Sequence, residues 1–325
     1  MTAISRTAAY VAAARAIGAR EPDPEVRNPD YLAERLLGDT SAFDLDLPIM
    51  HALNHSYDEA MQDLEVAGTV RAMIVRTRFI DDALEHALDQ GAKQLLILGA
   101  GLDSHAYRFG PMLEDVRVFE VDRRATQALK KQRVREVVGE PPANLTYVEI
   151  DFQSDDLDTV LTSHGYDFSV RSFVIMEGVT MYLTETALGE TLRLMASHAA
   201  GSSIVFDFVS NVLVAMIRDI DLSAMPPPAR AFAERFLHLT RDEPWQFGLP
   251  FRGERDYLEA FGFEVPEILN ISGEAAARRY LTRSDGSQIA EETMAAAPQP
   301  QDPATEVQVE AMAYRIVEAI VAQRH

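Results

Sequence analysis

The run Gln94-Leu-Leu-Ile-Leu98, followed at once by Gly99-Ala100-Gly101, constrains the fold more than any other part of the chain. A near-continuous apolar run of this length is a strand buried on both faces, as in a parallel sheet covered by helices. The two glycines let the backbone turn sharply and approach a ligand with no Cβ in the way. Upstream, Val70, Met73, Ile74, Ile80, Leu84 and Leu88 recur at helical spacing over 69–90, and Gly91 follows as a C-cap. Downstream the alternation repeats, with strands expected over 116–121, 145–150, 173–176 and 203–209. Helices are expected over 123–138 and 157–163, and another starts at the N-cap Thr184. This order predicts an α/β fold: a parallel sheet with helices on both faces.

An alanine-rich helix opens the chain, and the prolines Pro22, Pro24 and Pro29 separate it from a short amphipathic stretch closed by Gly38. Residues 211–250 interrupt the strand–helix rhythm with two helical stretches around Pro226-Pro227-Pro228. Such an insertion sits at one end of the sheet, as a lid over a pocket or as a packing element. The expected organisation is one domain over 1–284: a helical cap (1–68), a ligand-binding core (69–210), the insertion (211–250) and closing elements with a strand over 263–265 (251–284). Beyond it, 297–303 reads as a linker by composition. A last helix over 305–323 would carry Val309, Met312, Ile316 and Ile320 on one face.

Lys and Arg total 30 against 51 Asp and Glu, a formal charge of −21, which disfavours nucleic acid as a partner. No apolar run reaches the roughly 18 residues of a membrane span. With no cysteine there is neither a disulfide framework nor a thiolate site, and a cytoplasmic location is expected.

The chemistry concentrates at strand ends. The second strand ends Glu120-Val121-Asp122, the third Glu149-Ile150-Asp151-Phe152, and the fourth runs into Glu177. Open α/β sheets bind ligands at this edge. A carboxylate there can take a ribose diol, and one beside an aromatic ring can take an adenine amino group. Each alone could equally be a helix cap; together with the glycine turn they form a candidate site. Ser104 stands where a dinucleotide fingerprint needs glycine or alanine, which weighs against a nicotinamide oxidoreductase.

The strings LLILGAGLDSHAYRF, VFEVDRRATQALKKQRV and IMEGVTMYL resemble the leucine carboxyl methyltransferase family and its bacterial polyketide O-methyltransferase relatives, over about residues 5–280. The resemblance implies a class I methyltransferase with a Rossmann-like sheet, which uses S-adenosyl-L-methionine and releases S-adenosyl-L-homocysteine. By position it implies that Gly99 and Gly101 line the methionine part, Asp122 holds the ribose and Asp151 contacts the adenine with Phe152 beside it. Glu177 would meet the methionine ammonium, Arg76 its carboxylate, and Arg6 would also touch the donor. Tyr182 would stand near the acceptor as a catalytic-site positioning group. The family's usual Asp-Thr-Arg reads Asp103-Ser104-His105 here, so an expected basic residue is replaced by His105.

Donor chemistry agrees with this pattern, because S-adenosylmethionine has cationic groups, one carboxylate and no phosphate. Arg76 and Arg78 lie on different faces of one helix, so one points at the site and the other would pair with Asp81 or Asp82. His51, His55, His105 and His238 are the candidate bases for a hydroxyl acceptor; a carboxylate acceptor needs none. His51 and His55 have metal-pair spacing without a third ligand cluster, so no metal is expected. The expected function is O-methylation of a carboxylate on a small natural-product-like molecule, with no nucleic acid or membrane partner and a homodimer left open. The alternatives are a hydroxyl O-methyltransferase, an oxidoreductase or an inactive scaffold.

Overall fold

A computed structural model describes residues 5–43, 45–151, 155–289 and 302–323. Seven strands form one sheet: β1 (Gln94–Leu98), β2 (Arg117–Asp122), β3 (Leu145–Glu149), β4 (Ser172–Met176), β5 (Ser203–Phe208), β6 (Phe263–Asn270) and β7 (Arg315–Val321). Their order is β3-β2-β1-β4-β5-β7-β6. The first five strands pair in parallel, and β7 is antiparallel to both β5 and β6. Every residue of β1, β4 and β5 is buried, as their apolar sequences require. From β1 the chain winds first toward β2 and β3 and later toward β4 and β5. The C-terminal ends of β1 and β4 therefore flank a switch point, where such sheets open a crevice.

The first helix, Arg6–Gly18, is capped by the Ser5 hydroxyl, which accepts from the Ala8 amide. It buries Ala9, Ala12, Ala13 and Ile17 against the Leu64–Asp89 helix. That helix starts earlier than the expected residue 69, because the Asp63 side chain accepts from the amides of Glu65 and Val66. In the insertion, the helices Asn211–Arg218 and Pro227–Leu239 flank the proline run, with prolines in the first turn of the second helix, where a missing N–H costs little.

The C-terminal expectation is overturned. A helix covers only Pro303–Ala311, and β7 enters the sheet between β5 and β6. Val309 and Met312 are about half exposed, so no helical stripe runs through them. Ile316, Val317, Ala319 and Val321 are buried instead, because this β-branched run is covered on both faces of the sheet. The expected boundary at 284/285 thus leaves a sheet strand on its far side. The bulk of the linker reading, 297–301, lies outside the described residues. β6 also extends to Asn270, since β7 gives it a partner along its length.

Candidate functional site

Gly99 and Gly101 turn the chain after β1 with φ of +68° and +43°. A Cβ on Gly99 would lie 2.5 Å from Val179 Cγ2, so this glycine also lets the β4 turn approach. At Gly101 nothing lies closer than 3.6 Å to such a Cβ, and its constraint is the positive φ. The Gly101 and Arg123 amides donate to the two oxygens of Asp122, each at 2.6 Å. Burial raises the Asp122 carboxyl above its ordinary value, against these two donors. Each oxygen keeps a second acceptor direction.

Arg76 is buried on the Leu64–Asp89 helix. Its Nη2 lies 2.5 Å from Glu177 Oε1, and its Nη1 donates to Asp207 Oδ2 at 2.8 Å and to the Tyr314 hydroxyl at 2.9 Å. Tyr314 in turn donates to Asp207 Oδ2. The Gly178 amide donates to Asp207 Oδ1 at 2.6 Å. Burial raises the Asp207 carboxyl, and Arg76 opposes that rise. The Arg76 Nε–H is buried and unpartnered among the described residues.

Charge alternates onward from Glu177. Arg15 lies 3.2 Å from Glu177 Oε1, donates from Nε to Asp30 at 2.9 Å and from Nη2 to the Leu102 carbonyl at 2.9 Å. Arg108, 3.9 Å from Asp30, grips Asp81 with two bonds of 2.8 Å. Asp81 lies 3.0 Å from His105 Nε2, and Asp103 lies 2.6 Å from His105 Nδ1. Burial alone would lower the His105 pKa, but Asp103 and Asp81 outweigh it and push it up to about 9. His105 therefore carries a positive charge at neutral pH, the charge type that the family pattern provides here with arginine. Asp103, His105 and Glu177 bring ligand-type atoms within 4.8 Å of one another. Ion pairs already occupy His105 Nδ1 and Glu177 Oε1.

Arg78, expected to pair with Asp81 or Asp82, donates instead to the backbone carbonyls of Arg27 and Pro24. Asp82 takes Arg279 and Tyr280.

These groups border a cavity of about 1740 Å³ that is lined by Gly99, Gly101, Asp122, Asp151, Arg76, Glu177, Arg6 and Tyr182. The structure thus gathers every expected site residue except Phe152, which lies outside the described residues. Asp151 is exposed at the cavity edge. Arg6 is held by the insertion, donating to the His238 carbonyl at 3.0 Å, with Asp242 at 3.8 Å. Glu243 accepts from Ser5, Thr7 and Arg123, so the insertion closes over the first helix and the tip of β2. Tyr182 stands by Thr7 and Trp245, and burial raises its phenol above the ordinary value. Trp245 packs edge-on against Phe236 at 5.0 Å.

Sequence reasoning missed Arg15, Asp207, Tyr314 and Glu243. Asp207 had a visible signal, a lone carboxylate inside the apolar strand Ile204-Val-Phe-Asp-Phe208. Arg15 had a weaker one, a charge in an alanine helix. Tyr314 and Glu243 had none.

The leucine carboxyl methyltransferase family model matches residues 8–196. A Mycolicibacterium gilvum protein assigned to the S-adenosyl-L-methionine-dependent methyltransferases is 30% identical over 284 residues, covering 81% of this chain and 83% of its own. A Mycobacterium avium protein with the same assignment is 27% identical over 272 residues, covering 82% and 85%. A solved Thermobifida fusca structure assigned as a methyltransferase superposes with a TM-score of 0.50 at 15% identity, covering 94% of this chain and 97% of that one, and shows the same fold. The family match spans more than half of the chain and includes the glycine turn, Asp122 and Glu177, so the chain belongs to the leucine carboxyl methyltransferase family of S-adenosyl-L-methionine-dependent enzymes.

Proposed function

We propose that the chain methylates an oxygen of a small natural-product-like acceptor, a carboxylate in preference to a hydroxyl. The residues fit the donor. The unpartnered Nε–H of Arg76 suits its carboxylate. Both arginine contacts of Glu177 fall on Oε1, which leaves Oε2 for the ammonium. Asp122 suits the ribose diol and Asp151 the adenine. Gly99 and Gly101 give the methionine part its close approach, and Arg6 belongs to the cover of the same cavity. When bound, the donor supplies an electrophilic methyl on its sulfonium.

The cavity exceeds the roughly 300–1,000 Å³ usual for one small ligand, which leaves room for an acceptor beside the donor. Tyr182, kept protonated by burial, can donate a hydrogen bond that positions the acceptor. The first helix and the 211–250 insertion act as the cover that excludes water.

The observation carrying the carboxylate reading is that none of His51, His55, His105 and His238 borders the cavity. His51 pairs with Asp46 at the surface, His105 is locked between two carboxylates, and His238 Nε2 lies 2.6 Å from Arg6. A carboxylate needs no base. As the C–O bond forms and the C–S bond breaks, its negative charge cancels the sulfonium charge and no proton moves. Orientation alone can supply about 7–11 kcal/mol.

With an acceptor pKa of about 4, kcat should stay nearly flat across roughly pH 6 to 8. His51→Gln, His55→Gln and His238→Gln should keep it. A hydroxyl acceptor would give a rate rising with pH, and loss of its base would cost roughly 10²–10⁴-fold. A steep profile, with one folded, donor-binding, inactive histidine variant, would replace the carboxylate by a hydroxyl.

A further inference from the structure

Arg76 and Glu177 lie inside the family match, but two groups that hold Arg76 lie outside it. Asp207 comes from β5, and Tyr314 from the residue just before β7. Antiparallel pairing of Phe208 with Arg315 sets Tyr314 alongside the end of β5, and the Ile271 amide pins its backbone carbonyl at 2.9 Å. Its ring packs against Met181, Val209 and Val214, and it lines the cavity.

We propose that Tyr314 is a positioning residue for the donor's carboxylate, acting through Arg76. This rests on the reading of Arg76 given above. A guanidinium has five N–H donors in a fixed plane. The Asp207 Oδ2 and Tyr314 hydroxyl oxygens, in contact with each other, share one N–H of Nη1, and Glu177 Oε1 pairs with Nη2. The buried Nε–H has no partner among the described residues, and with the Nη2 beside it forms a side-on fork that matches a carboxylate. Tyr314 both accepts from Nη1 and donates to Asp207, so it fixes the plane in which that fork points. Without its hydroxyl, Nη1 loses an acceptor, Asp207 loses a donor, and the plane can swing about the Arg76–Asp207 contact.

The test measures two ligands by calorimetry on the full chain: S-adenosylhomocysteine, which carries the carboxylate, and 5′-methylthioadenosine, which lacks the amino-acid part. Tyr314→Phe keeps the ring and should weaken S-adenosylhomocysteine roughly tenfold while leaving methylthioadenosine unchanged. Equal weakening of both would reveal a merely structural role, and no change in either would equally overturn the proposal. If Tyr314→Phe does not fold, Tyr314→Trp takes its place and the same split is expected, since indole offers Asp207 a donor but Arg76 no acceptor. Arg76→Lys separates the two levels. If it leaves S-adenosylhomocysteine affinity intact, the reading of Arg76 itself fails. If it weakens that ligand alone while the Tyr314 variant does not, only the Tyr314 assignment falls.

Discussion

An Arg76→Met variant is expected to lose about 3–5 kcal/mol of unfolding free energy together with its donor affinity. The stability loss follows from what the guanidinium leaves behind. Asp207 has no exposed surface, and its charge is balanced by Arg76 and supported by the Tyr314 hydroxyl and the Gly178 amide. Methionine fills similar space but brings neither charge nor donor. Glu177 keeps Arg15, so the damage centres on Asp207. Urea unfolding measures the first effect, and calorimetry with S-adenosylhomocysteine the second. A loss below about 1 kcal/mol with unchanged affinity would mean that the cluster neither organises the fold nor meets the donor, since a surface pair is worth no more than that.

The second large effect is alkaline. His105 binds its proton up to about pH 9 in the folded chain, against an ordinary pKa of 6.5. The folded state therefore holds a proton that the unfolded state has released between those values, and stability falls as pH rises. This contribution is complete below about pH 6.5 and is lost through pH 9, a difference on the order of 3 kcal/mol. The partner Asp103 is held well below the usual carboxylate range, with His105 opposing the effect of burial. Its contribution is present at neutral pH and is lost only in acid. Unfolding free energies at pH 6 and pH 9.5 should differ by the stated amount in the natural chain and much less in His105→Asn. Equal slopes in the two proteins would place the alkaline loss elsewhere.

The carboxyl edge of the sheet was legible because strands buried on both faces leave continuous apolar runs. The residues at their ends then stand out, as Gly99, Asp122 and Glu177 do. Strand ends were right to within a residue for β1 to β5, where local composition and the following glycine or cap decide them. The last strand was misread because Val309, Met312, Ile316 and Ile320 recur at spacings that fit a helix, while its partners lie far away in sequence. Strand pairing is non-local, and periodicity carries no information about it.

The missed site residues share that cause. Arg15 meets Glu177 across 162 residues, Arg76 meets Tyr314 across 238, and Ser5 meets Glu243 across 238. Arg78 shows the reverse error. Sequence proximity suggested Asp81 or Asp82, but the loop at Pro24 and Arg27 offered backbone carbonyls first.

The most direct test of the proposed chemistry is the alkali lability of the transferred methyl group. Cell extract incubated with the enzyme and deuterated-methyl S-adenosylmethionine yields labelled products by mass spectrometry, which are then treated with mild base. A carboxyl methyl ester releases its label as deuterated methanol, and that release is the predicted result. A label that survives base, as a methyl ether or an N-methyl group would, contradicts the carboxylate assignment.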